Sequence, residues 1–547
     1  GADSTEINPD CSDPVIDILP DQKKIEGLGG NMRLGGQDID LAPGTLAHEL
    51  FEKAQRIRMR FRHRYEVDPR YVFTLEKAGM VFSGKHPTQP IMQIMELPRG
   101  VHPYFIGTQA HPCLTSRPLH PQPMFVGLVA AALRLGKPAV KRGKAVGRLD
   151  MKFLYDGCPT LKLAAEWKPP APRERKRGAG RAKDLAPMLS RMLGDLNLCS
   201  KEFKSRQYDG EVKGLSVVKP FIGVKCDMPA DATVMRVEYK SNEGIALAEG
   251  INPFYSDIDA YHMAASVIDE GVRRAVSAGA RLGRIAGLDN FCWPDPVLSE
   301  KTPDGLHKLA QLVRACKALY DLTTAYSVPC ISGKDSCKND STRGGRKISI
   351  PPTLLFSTIA KIDDVRSVIT PDFKRAGDLI YAIGMTRNEL GASAFNRATG
   401  LGAGEGYVPQ VFPAQALRTY RAMNRAAKLG MLRSSHTPCR GGLAVGLAMC
   451  AMGGGLGADL SLAPAPREPG LGDRELLFSE SNSRFIVTVA PAQAGKLEKI
   501  FKGVPHARIG RVSASGKLVI RGTGNETIIA AGLEDMRKSF KKTLYGV

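Results

Sequence analysis

Several sequence patterns that would point directly to a function are missing from this 547-residue chain. Neither a Cys-x-x-Cys pair nor a His-Glu-x-x-His motif occurs, so no structural zinc site and no zinc-hydrolase site is predicted. The eleven cysteines are scattered and odd in number, which is typical of free thiols in a reducing compartment. No apolar run reaches membrane-spanning length, and the first residues lack the regions of a secretory signal. We therefore expect a cytoplasmic protein without a membrane partner.

Aromatic residues are also scarce, at 6% of the chain. The formal net charge of +22 is of the kind that nucleic-acid-binding proteins carry. However, no aromatic stacking motif accompanies it. The clearest basic run, Arg-Glu-Arg-Lys-Arg at 173–177, lies in a segment rich in Pro, Ala and Gly, which predicts a solvated linker. We therefore expect no nucleic-acid partner, and we expect part of the positive charge to attract anionic substrates.

The length and the alternation of helical and extended patterns predict a multidomain chain. At 547 residues, domain-size statistics give about three to five domains. Apolar spacing or helix-forming composition predicts helices at 46–60, 260–278, 306–320 and 444–452. Apolar runs predict strands at 64–67, 71–75, 232–239, 353–362, 378–383 and 485–489. Such alternation indicates α/β and α+β domains.

Residues 330–340 read Cys-Ile-Ser-Gly-Lys-Asp-Ser-Cys-Lys-Asn-Asp, and they lie between two apolar runs. We therefore predict that Gly333 to Ser336 open a loop at a strand end. Gly333 allows a ligand to approach the backbone, and Lys334 offers a charge to phosphate. Asp335 can hold a divalent metal through oxygen, and Ser336 can donate to a phosphate or a sugar. The segment is not a Walker loop, and an ordinary turn is the alternative.

Many short motifs follow one another in an order that carries a resemblance. They include Asn-Leu-Cys-Ser-Lys-Glu-Phe at 197–203, Pro-Ala-Asp-Ala at 229–232, Asp-Asn-Phe-Cys-Trp at 289–293, Gly-Lys-Asp-Ser at 333–336, Ile-Pro-Pro-Thr at 350–353 and Leu-Phe-Ser-Glu-Ser at 477–481. In this order the chain resembles phosphoribosylformylglycinamidine synthase, a ligase of purine biosynthesis. The resemblance covers about residues 148–547 and corresponds to the second half of the synthetase portion of that enzyme.

This resemblance implies a reaction and a domain organisation. ATP activates the amide oxygen of formylglycinamide ribonucleotide, ammonia from glutamine displaces phosphate, and Mg²⁺ neutralises phosphate charge. The implied fold has an AIR synthetase-like N-terminal domain at 191–365 and a C-terminal domain at 366–547. Residues 136–190 would form a joining segment, the end of a synthetase subdomain and a basic linker. A complementing synthetase half and a separate glutaminase are the implied partners.

In one branch of the family, a Gly-Asn-x-Ser segment binds ATP, metal and substrate. Gly333 and Ser336 match its ends, while Lys334 replaces the asparagine. An ammonium group is not a metal ligand, so a metal there would use Asp335. Asp289 corresponds to an upstream aspartate that contacts nucleotide.

In the larger branch, an Ala-Asp pair, a helical Glu-x-x-x-Asn and a His-Asp-x-Ser loop hold a magnesium nucleotide. Ala230 and Asp231 match the pair, and Glu270 matches the glutamate. Arg274 replaces the asparagine, and the loop reads His-Thr-Pro-Cys at 436–439. The resemblance therefore implies Asp231 and Glu270 as remaining metal ligands. It also implies a weakened or metal-free nucleotide site in which Arg274 contacts phosphate.

The first quarter of the chain resembles the class I glutamine amidotransferase domain of CTP synthase. The resemblance rests on residues 13–20, 28–35, 62–67, 111–112, 116–118 and 125–128. It implies that 1–135 form a partial domain, that His111 takes the place of the catalytic histidine, and that Arg64 contacts the glutamine carboxylate. Cys113 replaces the orienting glutamate, and no Gly-x-Cys-x-Gly nucleophile elbow occurs. We expect no glutamine hydrolysis by this chain.

Two readings of Cys113 stay open. It lies two residues after His111, which on a strand would place both on one face and allow a new nucleophile. The alternative is a buried structural thiol.

Four hypotheses for the whole chain follow. The first is an incomplete synthetase, because the Thr-His-Asn-His-Pro motif of the first half is absent. The second is a non-catalytic binding or scaffold protein derived from enzyme fragments. The third is a CTP synthase-related glutaminase fragment. The fourth is an artificial join of two reading frames near 135–149.

Overall fold

The computed structural model describes residues 2–8, 10–18, 33–116, 121–134, 139–141, 144–147, 162–169, 184–207, 213–344, 346–401 and 406–544. The chain divides into two compact units, Gly1–Leu161 and Lys162–Val547. The basic run at 173–177, most of the motif at 28–35 and most of the predicted join at 135–149 lie outside the described residues. The four-part division predicted from the sequence stays a prediction.

The first unit is built on a five-stranded antiparallel sheet. In spatial order its strands are Arg56–His63, Arg33–Leu41, Val81–Lys85, Met92–Glu96 and Ile106–Thr108. The other strands of this unit are Ala2–Ser4, Asp13–Asp17, Glu66–Val67, Ala139–Lys141 and Lys144–Gly147. Its helices are Leu46–Leu50, Pro69–Lys77, Pro123–Arg134 and the 3-10 turn Pro112–Leu114.

For the first unit, the helix predicted at 46–60 is wrong in part, and the strand predicted at 71–75 is wrong. The helix predicted at 46–60 begins after the cap Thr45 but ends at Leu50, and Arg56–His63 is a strand. Its alternation buries Met59 and Phe61 and exposes Arg58, Arg60 and Arg62, as a sheet with one covered face requires. Residues 71–75 are helical instead of extended, because Asp68 caps a helix that starts at Pro69.

The second unit contains two large sheets. The six-stranded sheet has the spatial order Ser216–Val218, Thr233–Arg236, Gly244–Ile251, Thr353–Ile362, Ile285–Cys292 and Cys330–Ser336. The seven-stranded sheet has the order Leu432–His436, Phe485–Val489, Leu379–Ile383, His506–Ser513, Gly457–Ser461, Lys517–Arg521 and Thr527–Gly532. Short two-stranded ladders pair Phe221–Ile222 with Met228–Pro229 and Asp340–Arg343 with Arg346–Ser349.

Helices cover these sheets. They are Ala186–Leu193, Glu202–Ser205, Ala260–Ser277, Gly305–Tyr326, Ala394–Ala398, Pro413–Lys428, Gly442–Gly454, Asp473–Phe478, Ala494–Ile500 and Leu533–Lys542, with 3-10 turns at Pro253–Asp257, Val365–Ser367 and Pro491–Gln493. The predicted helices near 260–278, 306–320 and 444–452 and the predicted strands near 232–239, 353–362, 378–383 and 485–489 are confirmed. Within the described residues, no helix has the length and apolarity needed to cross a bilayer.

The predicted loop at Gly333 to Ser336 is wrong. These residues form the second half of the strand Cys330–Ser336, which runs parallel to Ile285–Cys292 at the edge of the six-stranded sheet. A parallel edge strand exposes its polar residues while its backbone still pairs on one side. Turn-forming residue types therefore lie in an extended segment here.

A buried carboxylate joins the two sheet regions of the second unit. Asp269, on the helix Ala260–Ser277, forms an ion pair with Arg273 at 2.6 Å. Its oxygens also accept hydrogen bonds from the hydroxyls of Tyr326, at 2.5 Å, and Tyr420. The backbone N–H of Ser483 donates to it at 3.1 Å. The side chains of Asp269 and Arg273 are almost fully buried, so each needs these partners.

We predict that Asp269→Asn lowers the free energy of unfolding by about 3–5 kcal/mol, because the variant leaves the Arg273 charge buried without its counter-ion. Urea unfolding followed by circular dichroism measures the loss. The control is Asp363→Asn, which removes an exposed pair with Arg281 and should cost under about 1 kcal/mol. Equal losses in both variants would contradict the role given to Asp269.

Candidate functional site

A cavity of about 270 Å³ opens between the two sheet regions of the second unit. It collects side chains that are far apart in sequence. Asp231 follows the strand Met228–Pro229, Glu270 lies on the helix Ala260–Ser277, and His436 ends the strand Leu432–His436. The lining comprises Asn197, Leu198, Pro229, Ala230, Asp231, Glu249, Ile251, Glu270, Arg274, His436, Thr437, Cys439, Arg440, Val445, Gly446 and Met449. The structure thus brings together Ala230, Asp231 and Glu270, three of the site residues inferred from the sequence.

Asp231 is held on both carboxylate oxygens. Oδ1 lies 2.9 Å from Nδ1 of His436, and Oδ2 accepts a hydrogen bond from the backbone N–H of Thr437 at 2.8 Å. Burial raises the pKa of Asp231, but the contact with His436, the charge of Arg274 and the N–H of Thr437 together hold it below the ordinary value of 3.8. Asp231 is therefore a fixed anion that orients His436.

Glu270 also has its own counter-ion. Oε1 lies 2.8 Å from Nη2 of Arg274, one helical turn away.

Cys439 lies on the same side of the cavity. Its thiol donates to the carbonyl of Thr437 at 3.2 Å, and its sulfur accepts from Arg273 at 3.3 Å. Burial raises the pKa of this thiol above 9.0, so Cys439 is neutral at pH 7.

Arg440 and Glu249 line the cavity but were not predicted from the sequence. Arg440 donates to the backbone carbonyls of Asn197 and Ile251. In the described part of the chain, no carboxylate forms an ion pair with it. The sequence does contain a signal for this residue, because an arginine directly before the Gly441-Gly442 pair stands at a helix start.

The residues of this cavity do not fit a Mg²⁺ ion. Mg²⁺ requires several oxygen ligands in octahedral geometry. Asp231 already contacts His436, and Glu270 is paired with Arg274. Thr437 and Cys439 stand at the aspartate and serine positions of the His-Asp-x-Ser loop. Among the described residues, no group of three or more His, Cys, Asp or Glu side chains could hold a metal ion.

The second set of predicted site residues lies apart from the cavity lining. Asp289 and Gly333 are register partners on neighbouring parallel strands. A Cβ at Gly333 would lie 2.8 Å from Oδ2 of Asp289, so glycine leaves room for this carboxylate in its present orientation. Burial raises the pKa of Asp289, and the nearby Asp335 raises it further. Lys334 is exposed and donates to Oγ of Ser336 at 2.7 Å. Their predicted roles in ligand binding stay predictions.

The first unit has a separate cavity, of about 440 Å³. Arg64 lines it together with Glu6, Ile16, Arg62, His63, Tyr65 and Gln109. Beside it, Glu66 is fully buried and lies 2.9 Å from Nε2 of His63 and 2.6 Å from Nε of Arg33. The predicted contact of Arg64 with glutamine stays a prediction.

One reading placed His111 and Cys113 on a strand, and this is wrong. His111 precedes the 3-10 turn Pro112–Leu114, which contains Cys113. The other reading is wrong as well, because Cys113 is exposed. His111 is half-buried, and its backbone N–H donates to the carbonyl of Arg60 at 2.8 Å.

The lowered pKa of Asp231 predicts how stability depends on pH. A carboxylate whose pKa is lower in the folded state stabilises the fold above its unfolded pKa, and this contribution is lost as the pH falls through the folded pKa. We expect Asp231→Asn to be less stable than the parent at pH 7. The gap should narrow only as the pH falls below 3.8. Urea unfolding from pH 7 downward measures it, and a gap that closes already above about pH 5 would contradict the assignment.

Comparison with known proteins places both parts of the chain. Residues 11–131 match the family described as class-I glutamine amidotransferase, and residues 375–523 match the C-terminal domain of AIR synthase related proteins. Phosphoribosylformylglycinamidine synthase subunit PurL of Methanosarcina mazei is 32% identical over 399 residues, which are 73% of this chain and 51% of that protein. CTP synthase of Natronomonas pharaonis is 53% identical over 133 residues, or 24% of this chain and 23% of that protein.

The solved structures agree on the fold. Thermotoga maritima PurL complexed with FGAR matches with a TM-score of 0.50 and 16% identity, covering 64% of this chain and 53% of that one. The chain spans about half the length of the curated PurL relatives and about a quarter of CTP synthase. The chain thus joins a segment that resembles the glutamine amidotransferase domain of CTP synthase to a segment that resembles the second half of phosphoribosylformylglycinamidine synthase.

Proposed function

We propose that this chain contributes the second half of an ATP-dependent synthetase that converts formylglycinamide ribonucleotide into formylglycinamidine ribonucleotide. The observation that carries the proposal is the cavity around Asp231. It unites Ala230, Asp231 and Glu270 with the loop at 436–439, in the order that the family uses for a nucleotide site. The edge residues Gly333 to Ser336, with Asp289, are the proposed contacts for the phosphorylated substrate.

Each group in the proposed sites has a physical task. Arg274 and Arg440 attract phosphate at the cavity, and Asn197 offers an amide beside them. At the sheet edge, Lys334 supplies an exposed positive charge, and Ser336 offers a hydroxyl. Mg²⁺, when bound in an enzyme of this class, offsets phosphate charge. The cavity around Asp231 does not fit it, and Asp335 stays the predicted ligand.

The proposal includes two partners and a location. A complementing synthetase half would supply the Thr-His-Asn-His-Pro motif, which this sequence lacks. A separate glutaminase would supply ammonia, because the residue that aligns with the orienting glutamate is Cys113. The ten cysteines in the described part of the chain are free, which supports the cytoplasm as the proposed location.

Ligand-dependent melting of the full chain tests this function. We expect formylglycinamide ribonucleotide, with ATP present, to raise the melting midpoint by a few degrees, because a ligand that binds only the folded chain stabilises it. Ser336→Ala should reduce the rise. The matched control is Ser341→Ala, an exposed serine on Asp340–Arg343, the next strand along the chain, which should leave the rise unchanged.

The outcomes separate the hypotheses. A cooperative melt without any shift from either ligand would contradict the synthetase and favour the non-catalytic scaffold. The absence of any cooperative melt would favour an artificial join. If the shift is seen, formation of the amidine from ammonium chloride is expected only after a separately produced first half is added.

A further inference from the structure

We propose that the cavity around Asp231 binds the diphosphate of a nucleotide without a divalent cation, and that Arg274 and Arg440 provide the positive charge a metal would otherwise provide. This inference rests on the proposed function, because it takes the cavity to be a nucleotide site. It goes further in assigning the chemistry of recognition. Three observations carry it: Asp231 and Glu270 already have partners, Arg274 and Arg440 line the cavity, and no carboxylate among the described residues forms an ion pair with Arg440.

Asp231 and Glu270, the two carboxylates inside the cavity, already have partners. Asp231 contacts His436 at 2.9 Å, and Glu270 contacts Arg274 at 2.8 Å. A metal ion bound between them would displace these contacts and lie close to the guanidinium, where like charges repel. The third lining carboxylate, Glu249, is exposed on the strand Gly244–Ile251 and lies at the rim.

The two arginines keep unused donors. Nε of Arg274 is buried and has no hydrogen-bond partner among the described residues. Arg440 donates to two backbone carbonyls, and among the described residues no carboxylate forms an ion pair with it. A guanidinium presents several N–H groups in a planar fork that matches a phosphate. An anion in contact with both guanidinium groups would balance the positive charge of Arg440.

The helix Gly442–Gly454 forms one wall of the cavity through Val445 and Gly446. Its start adds no anion site, because the buried carboxylate of Glu480 already accepts from the backbone N–H of Gly441 at 2.7 Å. A Cβ at Gly446 would lie 3.1 Å from Cδ2 of His436, so glycine leaves room for the imidazole. The preference for an anion therefore rests on the two arginines.

Calorimetric titration of the full chain with ADP tests the inference. We expect ADP to bind in EDTA at least as tightly as in MgCl₂, because no metal takes part and Mg²⁺ competes for the diphosphate. Arg274→Asn should weaken binding in EDTA by about tenfold or more, since a charge-assisted contact is lost. The same variant removes the counter-ion of Glu270 and adds an amide oxygen, and both oxygens can bind Mg²⁺. MgCl₂ should therefore restore part of the affinity of this variant for ADP.

Two further variants compare an arginine outside the cavity with one inside it. Arg281→Asn removes an exposed arginine that pairs with Asp363, and it should bind ADP like the parent. Arg440→Gln should weaken ADP binding in both buffers. Pyrophosphate, the probe without a nucleoside, should compete with ADP in EDTA, because the arginines recognise the diphosphate.

Two results would overturn the inference. The first is ADP binding by the parent chain only when MgCl₂ is present. The second is no binding of ADP or pyrophosphate in either buffer by a chain that melts cooperatively. If the proposed function alone is wrong, the chain should still bind ADP without metal, but formylglycinamide ribonucleotide should leave its melting midpoint unchanged.

Discussion

The second unit depends on the buried ion pair between Asp269 and Arg273. Besides its counter-ion, Arg273 donates to Oγ1 of Thr437 at 2.7 Å and to Oδ1 of Asn482 at 2.8 Å. Asp269 collects the two tyrosine hydroxyls and Ser483 from other elements. A buried charge is tolerated only when such contacts are complete, so the pair fixes the positions of all these elements together.

The same network fixes the geometry of the cavity. Thr437 and Cys439 both contact Arg273, and Thr437 also donates its backbone N–H to Asp231. The loop that carries His436 is therefore attached to the core through one arginine and to the cavity through one aspartate. A second buried carboxylate, Glu480, accepts from the N–H groups of Gly441 and Ala394, which secures the following helix start. The site is thus preorganised by charges that do not line it.

Long, periodic segments could be predicted from the sequence, and contacts between distant residues could not. The helix Ala260–Ser277 and the strand Thr353–Ile362 were predictable because their apolar spacing follows their own period. The loop predicted at Gly333 to Ser336 was wrong because turn-forming residue types are tolerated on an exposed edge strand. Asp231 and Glu270 were recognised by resemblance. Only the three-dimensional structure shows that they pair with His436 and Arg274 and that Arg440 lines the same cavity. The sequence already showed Arg274 and Thr437 at the positions of the family's asparagine and aspartate ligands. It did not show how these replacements change the charge around the cavity.

The central claim is that guanidinium groups replace a metal ion in this cavity. A crystal structure of the full chain soaked with ADP and MnCl₂ tests it most directly, because manganese gives an anomalous signal that separates metal from solvent. The account predicts a diphosphate in contact with Arg274 and Arg440 and no anomalous peak between Asp231 and Glu270. A manganese peak bridging those two carboxylates, with Arg274 displaced, would contradict it.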